Sequence, residues 1–75
     1  MKKNQTDQLK ALVSAIKLAG GQSALARFCG IKQQTIGVWL KTGRVPAARV
    51  LQVEKAVGVS RHDLRPDIYP RFEQL

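Results

Sequence analysis

The chain has 75 residues, 44% of them hydrophobic, a formal net charge of +8 and a single cysteine. This length bounds it to one small domain, 1–75, burying only roughly 60% of its unfolded surface, a marginal fraction that pairing would improve. No apolar run approaches the ~20 residues of a membrane span, no apolar h-region follows Lys2 and Lys3, and one cysteine excludes an internal disulfide, as suits a reducing cytosol.

A first helix is predicted over about 7–19. Thr6 is its N-cap, and Asp7 suits the positive end of the dipole. Leu9, Leu12, Val13 and Ile16 form its apolar stripe, and Gly20-Gly21 ends it. A second helix runs from Gln22 or Ser23 to Cys29, with Leu25, Ala26, Phe28 and Cys29 as its apolar residues and Gly30 closing it. A third covers 33–42 and stops at Gly43. Ile36, Trp39 and Leu40 face inward; Gln33, Gln34, Gly37, Val38 and Lys41 face out. Pro46 falls in the first turn of a fourth helix whose inward residues are Val50, Leu51, Val53 and Val57, with Gly58 as the stop. Ser60 to Asp63 reads as a capping-box variant opening one more turn, and Pro66 and Pro70 leave a tail of about 66–75 irregular or extended. The fold class is all-α: a bundle of four helices plus a short fifth.

The stretch 22–42 has the spacing of a helix-turn-helix. Ala26 is small where two helices cross, Gly30 makes the turn, and Ile36 and Trp39 pin the second helix. In such units the second helix enters the DNA major groove. The charge agrees. Between residues 8 and 53 there is no acid, but seven cations: Lys10, Lys17, Arg27, Lys32, Lys41, Arg44 and Arg49. Beyond it, Glu54, Asp63, Asp67 and Glu73 offset Lys55, Arg61, Arg65 and Arg71. A basic field on the helix-turn-helix suits a polyanion.

The residues 22–27 (Gln-Ser-Ala-Leu-Ala-Arg), Gly30-Ile31, 33–36 (Gln-Gln-Thr-Ile), Trp39-Leu40 and 43–46 (Gly-Arg-Val-Pro) resemble the Cro/C1-type helix-turn-helix regulators of phages and prophages. The ending 59–70 is most similar to the YdaS-like subgroup, which includes Cro-like repressors and proteins described as antitoxins. The resemblance covers about 7–70 and implies a small lambda-repressor-like bundle. It implies that Gln22 bonds a phosphate and can brace Gln33, while Gln33, Gln34 and Val38 face bases. Two positions depart from the pattern. Lys32 stands where Ser or Thr often caps the recognition helix, exchanging cap stability for a phosphate contact. Gly37, in a helix interior, costs about 1 kcal/mol against Ala.

Gln33 and Gln34 can each offer a bidentate amide to adenine, and Val38 can meet a thymine methyl. Thr35 and Lys41 are assigned to phosphates, and Arg44 to a phosphate or base. Trp39 belongs to the core rather than to a stacking platform. Cys29 is a small core residue, and His62 a surface one. One His and one Cys make no zinc site, and the scattered carboxylates make no acid–base pair; no cofactor and no enzymatic activity are expected. The expected function is sequence-specific recognition of double-stranded DNA by a transcriptional regulator, a Cro-like repressor acting by promoter occlusion in the cytoplasm and associated with the nucleoid. The alternative is an antitoxin that binds a toxin protein and autoregulates. A homodimer, at least on DNA, would read a palindromic operator, with Leu64, Ile68, Tyr69 and Phe72 as contact candidates.

Overall fold

The computed structural model describes residues 5–70, with side chains from residue 7. Helix α1 is Gln5–Ala19, α2 Gln22–Cys29, α3 Gln33–Thr42, α4 Val50–Val57 and α5 Arg61–Leu64; a 3₁₀ turn, Ala47–Arg49, leads into α4. Among the described residues there is no strand. Thr6 lies inside α1, which begins earlier than a cap at that position would allow. Pro46 precedes the 3₁₀ turn rather than sitting in α4.

The turn between α2 and α3 shows why a glycine stands at 30. Its φ is +68°, in the left-handed region that costs other residues. There its own N–H bonds the Arg27 carbonyl, and Ile31 N–H bonds Ala26 O at 3.0 Å, so carbonyls at the end of α2 are satisfied. Gln52 of α4 covers another: its Nε2 donates to Cys29 O at 3.2 Å.

One core joins all five helices. Leu12 and Ala15 of α1, Leu25, Ala26 and Cys29 of α2, Ile36 and Trp39 of α3, Val45, Val50 and Val53, and Leu64 of α5 are buried together. Each such Leu, Ile or Val contributes roughly 1.5–3 kcal/mol over its exposed state. Ile16, Ile31, Leu40 and Val57 pack against this cluster.

The buried face of α1 differs from the stripe read in the sequence. Gln8, Ala11, Leu12 and Ala15 face inward, while Leu9, Val13 and Ile16 are half-buried at its flanks. Two alanines allow the close approach that larger residues would prevent. Phe28 is 58% exposed, because Leu25, Ala26 and Cys29 fill the inner side of α2 and each step along a helix turns about 100°. Leu51 is exposed for the same reason beside Val50.

The segment 60–70 folds back onto the bundle. Ser60 Oγ caps α5 by accepting from His62 N–H at 3.1 Å. His62 is half-buried rather than a surface residue, and its Nδ1–H donates to Tyr69 O at 2.7 Å. The Arg61 guanidinium lies 5.7 Å from the Tyr69 ring centre, and Tyr69 packs on the core. Residues 66–69 are irregular, as the two prolines imply, but fold back as turns bonded to Arg65 O rather than running extended. Leu64 is fully buried, which removes it as a dimer contact. Tyr69 is largely engaged within its own fold, Ile68 is exposed, and Phe72 lies outside the described residues.

Leu64→Ala should lower folding stability by about 2–5 kcal/mol, the cost of a core cavity. Urea melts should show that loss at every protein concentration; a loss seen only at low concentration would return Leu64 to an intermolecular contact.

Candidate nucleic-acid interface

Helix α3 is held by one side. Ile36 and Trp39 are buried and Leu40 packs beside them, while Gln33, Gln34, Val38 and Lys41 are exposed. Trp39, 3% exposed, offers no stacking platform. Lys32 is the N-cap residue; its backbone is extended and its side chain makes no cap hydrogen bond. The dipole therefore leaves positive character at the start of α3, beside a lysine.

The amide of Gln33 is braced, but not by Gln22. Ser23 Oγ donates to Gln33 Oε1 at 3.0 Å. Gln22 opens α2 and is half-buried. The sequence carried only a weak signal for this: two polar residues start α2, and the crossing of α2 with α3 decides which reaches residue 33. Ser23 thus joins the candidate site, fixing one rotamer of a side chain that otherwise samples several.

Thr35 is half-buried within the first turn of α3, and its N–H bonds Lys32 O at 3.0 Å. Gly37 lies on the same helix, and a Cβ there would meet nothing within 4 Å. The fold places no demand for glycine at this position. At the end of α3, Thr42 Oγ1 donates to Trp39 O at 3.0 Å and is 3.3 Å from Arg44 O. Arg44 is exposed and lies 3.7 Å from Asp67 Oδ2.

Behind this surface lie two acid clamps that the sequence reading did not find. Glu54 takes the Arg61 side chain at 2.8 and 2.9 Å and its backbone N–H at 2.9 Å. Those bonds, the backbone one first, hold the Glu54 carboxyl below its usual range. Arg65 is buried; its Nε and Nη2 grip Asp67 at 2.9 and 2.8 Å, and Nη1 donates to Val45 O at 3.0 Å. The Arg65 bonds hold the Asp67 carboxyl low in turn, and Asp67 raises the Arg65 pKa. Burial pushes the Cys29 thiol up. Among the described residues no group of three or more His, Cys, Asp or Glu could hold a metal.

The model of the bacterial toxin YdaS family matches residues 12–73. The chain belongs to that family. Within it, the chain is similar to the "Putative transcriptional regulator YdaS" of Escherichia coli (strain K12), 40% identical over 57 residues, with 72% of this chain and 58% of the relative covered. The chain thus spans little more than half the length of that YdaS relative. No solved structure gives a significant match. The YdaS-like resemblance over about 7–70 is borne out at the family level.

Two outcomes follow from the local geometry. Gly37→Ala should raise stability by about 1 kcal/mol, since Ala is the better helix former and its methyl has room; a lowered urea midpoint would show that α3 needs glycine after all. Glu54 and Asp67 both have depressed native pKa values. Their stabilisation is full above the ordinary carboxylate range of about pH 4 and is lost as pH falls through the native values. Glu54→Gln and Asp67→Asn should each flatten the acid limb of a plot of stability against pH, whereas an unchanged limb would remove these pairs from the acid transition.

Proposed function

We propose that the chain is a sequence-specific, double-strand DNA-binding transcriptional regulator that acts in the cytoplasm as a Cro-like repressor, by covering a promoter. The observation that carries this reading is α3: anchored by Ile36 and Trp39, it presents Gln33, Gln34 and Val38 outward, with the Gln33 amide already held by Ser23. Amide side chains at the exposed start of such a helix suit adenine edges, and Val38 suits a thymine methyl. Gln22, Lys32, Thr35, Lys41 and Arg44 surround them as phosphate contacts, within a segment free of acids. Phosphate contacts set register and base contacts set sequence. The name of the Escherichia coli relative, a transcriptional regulator, supports the same reading. No helix among the described residues is long and apolar enough to cross a membrane.

Pairing belongs to the complex. One recognition helix offers few base contacts, and a two-fold pair on a palindromic operator, with half-sites about 34–36 Å apart, doubles them. Of the apolar contact candidates among the described residues, exposed Ile68 and half-buried Tyr69 remain. The antitoxin alternative would draw on the irregular tail to bind a partner, and it gains less support because residues 65–69 are bonded to their own fold.

Operators selected from a random DNA pool test the register. Gln33→Ala should cost about 1–3 kcal/mol on the best operator and relax preference at one base pair per half-site. Unchanged affinity and preference would take Gln33 out of the base readout. Lys41→Ala should weaken operator and random DNA alike and make the plot of log K against log salt shallower by roughly one unit. An unchanged slope would move Lys41 off the phosphates.

A further inference from the structure

The loop that follows α3 is tied to the turns after α5 by one carboxylate. Asp67 Oδ1 accepts from Arg65 Nε at 2.9 Å and from Gln8 Nε2 at 3.2 Å. Asp67 Oδ2 accepts from Arg65 Nη2 at 2.8 Å and lies 3.7 Å from Arg44 Nη1. Two arginines therefore share one anion on unequal terms. The Arg65 side chain is 10% exposed and is also bonded to Val45 O; the Arg44 side chain is 47% exposed and approaches at the longest distance of the set.

We propose that Asp67 is an intramolecular counter-anion for Arg44, standing in the free protein where a DNA phosphate stands in the complex. The proposal rests on the reading of Arg44 as a phosphate contact.

Three shorter bonds, two from Arg65 and one from Gln8, keep the carboxylate in place whether or not Arg44 is there. Arg44 can swing to a phosphate without opening the clamp beneath. The pair it leaves is weak, since water reaches both partners and screens them. Because the opposing group is any phosphate, the effect is independent of DNA sequence. Asp67 thus sets how readily Arg44 is given up, and so trims affinity for random DNA. The strength of the Arg65 bonds keeps the Asp67 carboxyl ionised well below neutral pH, so the restraint is constant near neutrality.

The test uses the full chain and a random-sequence duplex of about two helical turns at low salt, read by fluorescence anisotropy. Asp67→Asn keeps a carbonyl for Arg65 and Gln8 but removes the charge. It should tighten binding about two- to fivefold, the scale of one exposed pair. In an Arg44→Gln background that gain should vanish, and in a Lys41→Gln background it should survive. No gain, or the same gain without Arg44, overturns the proposal, because Asp67 would then act only as one more negative charge or not at all. If the parent chain fails to bind the duplex, or Arg44→Gln binds as tightly as the parent, the reading of Arg44 on DNA falls instead. Should Asp67→Asn lose its fold, judged by circular dichroism, the unaltered chain decides by NMR. The Arg44 Nε–Hε and Asp67 Cγ resonances should shift together as the duplex is added. If both stay fixed at saturation, the exchange does not occur.

Discussion

The arrangement depends on α3 being anchored by one face only. Ile36 and Trp39 sink into the cluster that Leu25, Ala26 and Cys29 complete from α2. Everything on the other side of α3 can then stay bare without costing stability. Ala26 makes this possible, since a larger side chain there would hold the two helices apart and lift Ile36 and Trp39 from the core. The same closeness brings Ser23 within bonding distance of Gln33. Core packing and the aim of the outermost amide thus have one origin, the distance between two helices.

A second constraint is a buried charge. Taking the Arg65 guanidinium out of water is costly unless it is paired and hydrogen-bonded. Its partners are the carboxylate two residues on and the carbonyl of Val45, and that carboxylate also receives Gln8 from α1. One ion therefore fastens three parts of the chain that are distant in sequence: the first helix, the loop after α3 and the final turns. The cost of moving any one of them is the cost of exposing a half-satisfied charge to an apolar core.

What could be read from the residues was local. Gly30, Gly43 and Gly58 end their helices where the sequence places them, because a left-handed residue is needed there whatever surrounds it. The bounds of α2 and α3 follow from those glycines, and the inward turn of Trp39 from periodicity. The rotation of α1 did not, since Ala11 and Ala15 carry no strong preference for either face and only the neighbours they approach decide it. Phe28 and Leu51 illustrate that burial is a one-way rule: apolar residues fill a core, but not every apolar residue is inside. Among the assigned contact residues, the exposed positions of α3 are where periodicity puts them. Ser23 and Asp67 could not be found that way, because each acts on a residue brought near only by the crossing of helices or the folding back of the tail.

Cys29 offers the last consequence. The residue is 3% exposed, the pKa of its thiol is raised by burial, and its carbonyl accepts from Gln52 of α4. A buried, protonated thiol reacts slowly with oxidants and alkylating reagents. Attack on Cys29 therefore requires a local opening that exposes it, and where reclosing outpaces the reaction its rate reports the population of that open form. The single thiol of the chain is thus a built-in probe of local opening around α2 and needs no added label.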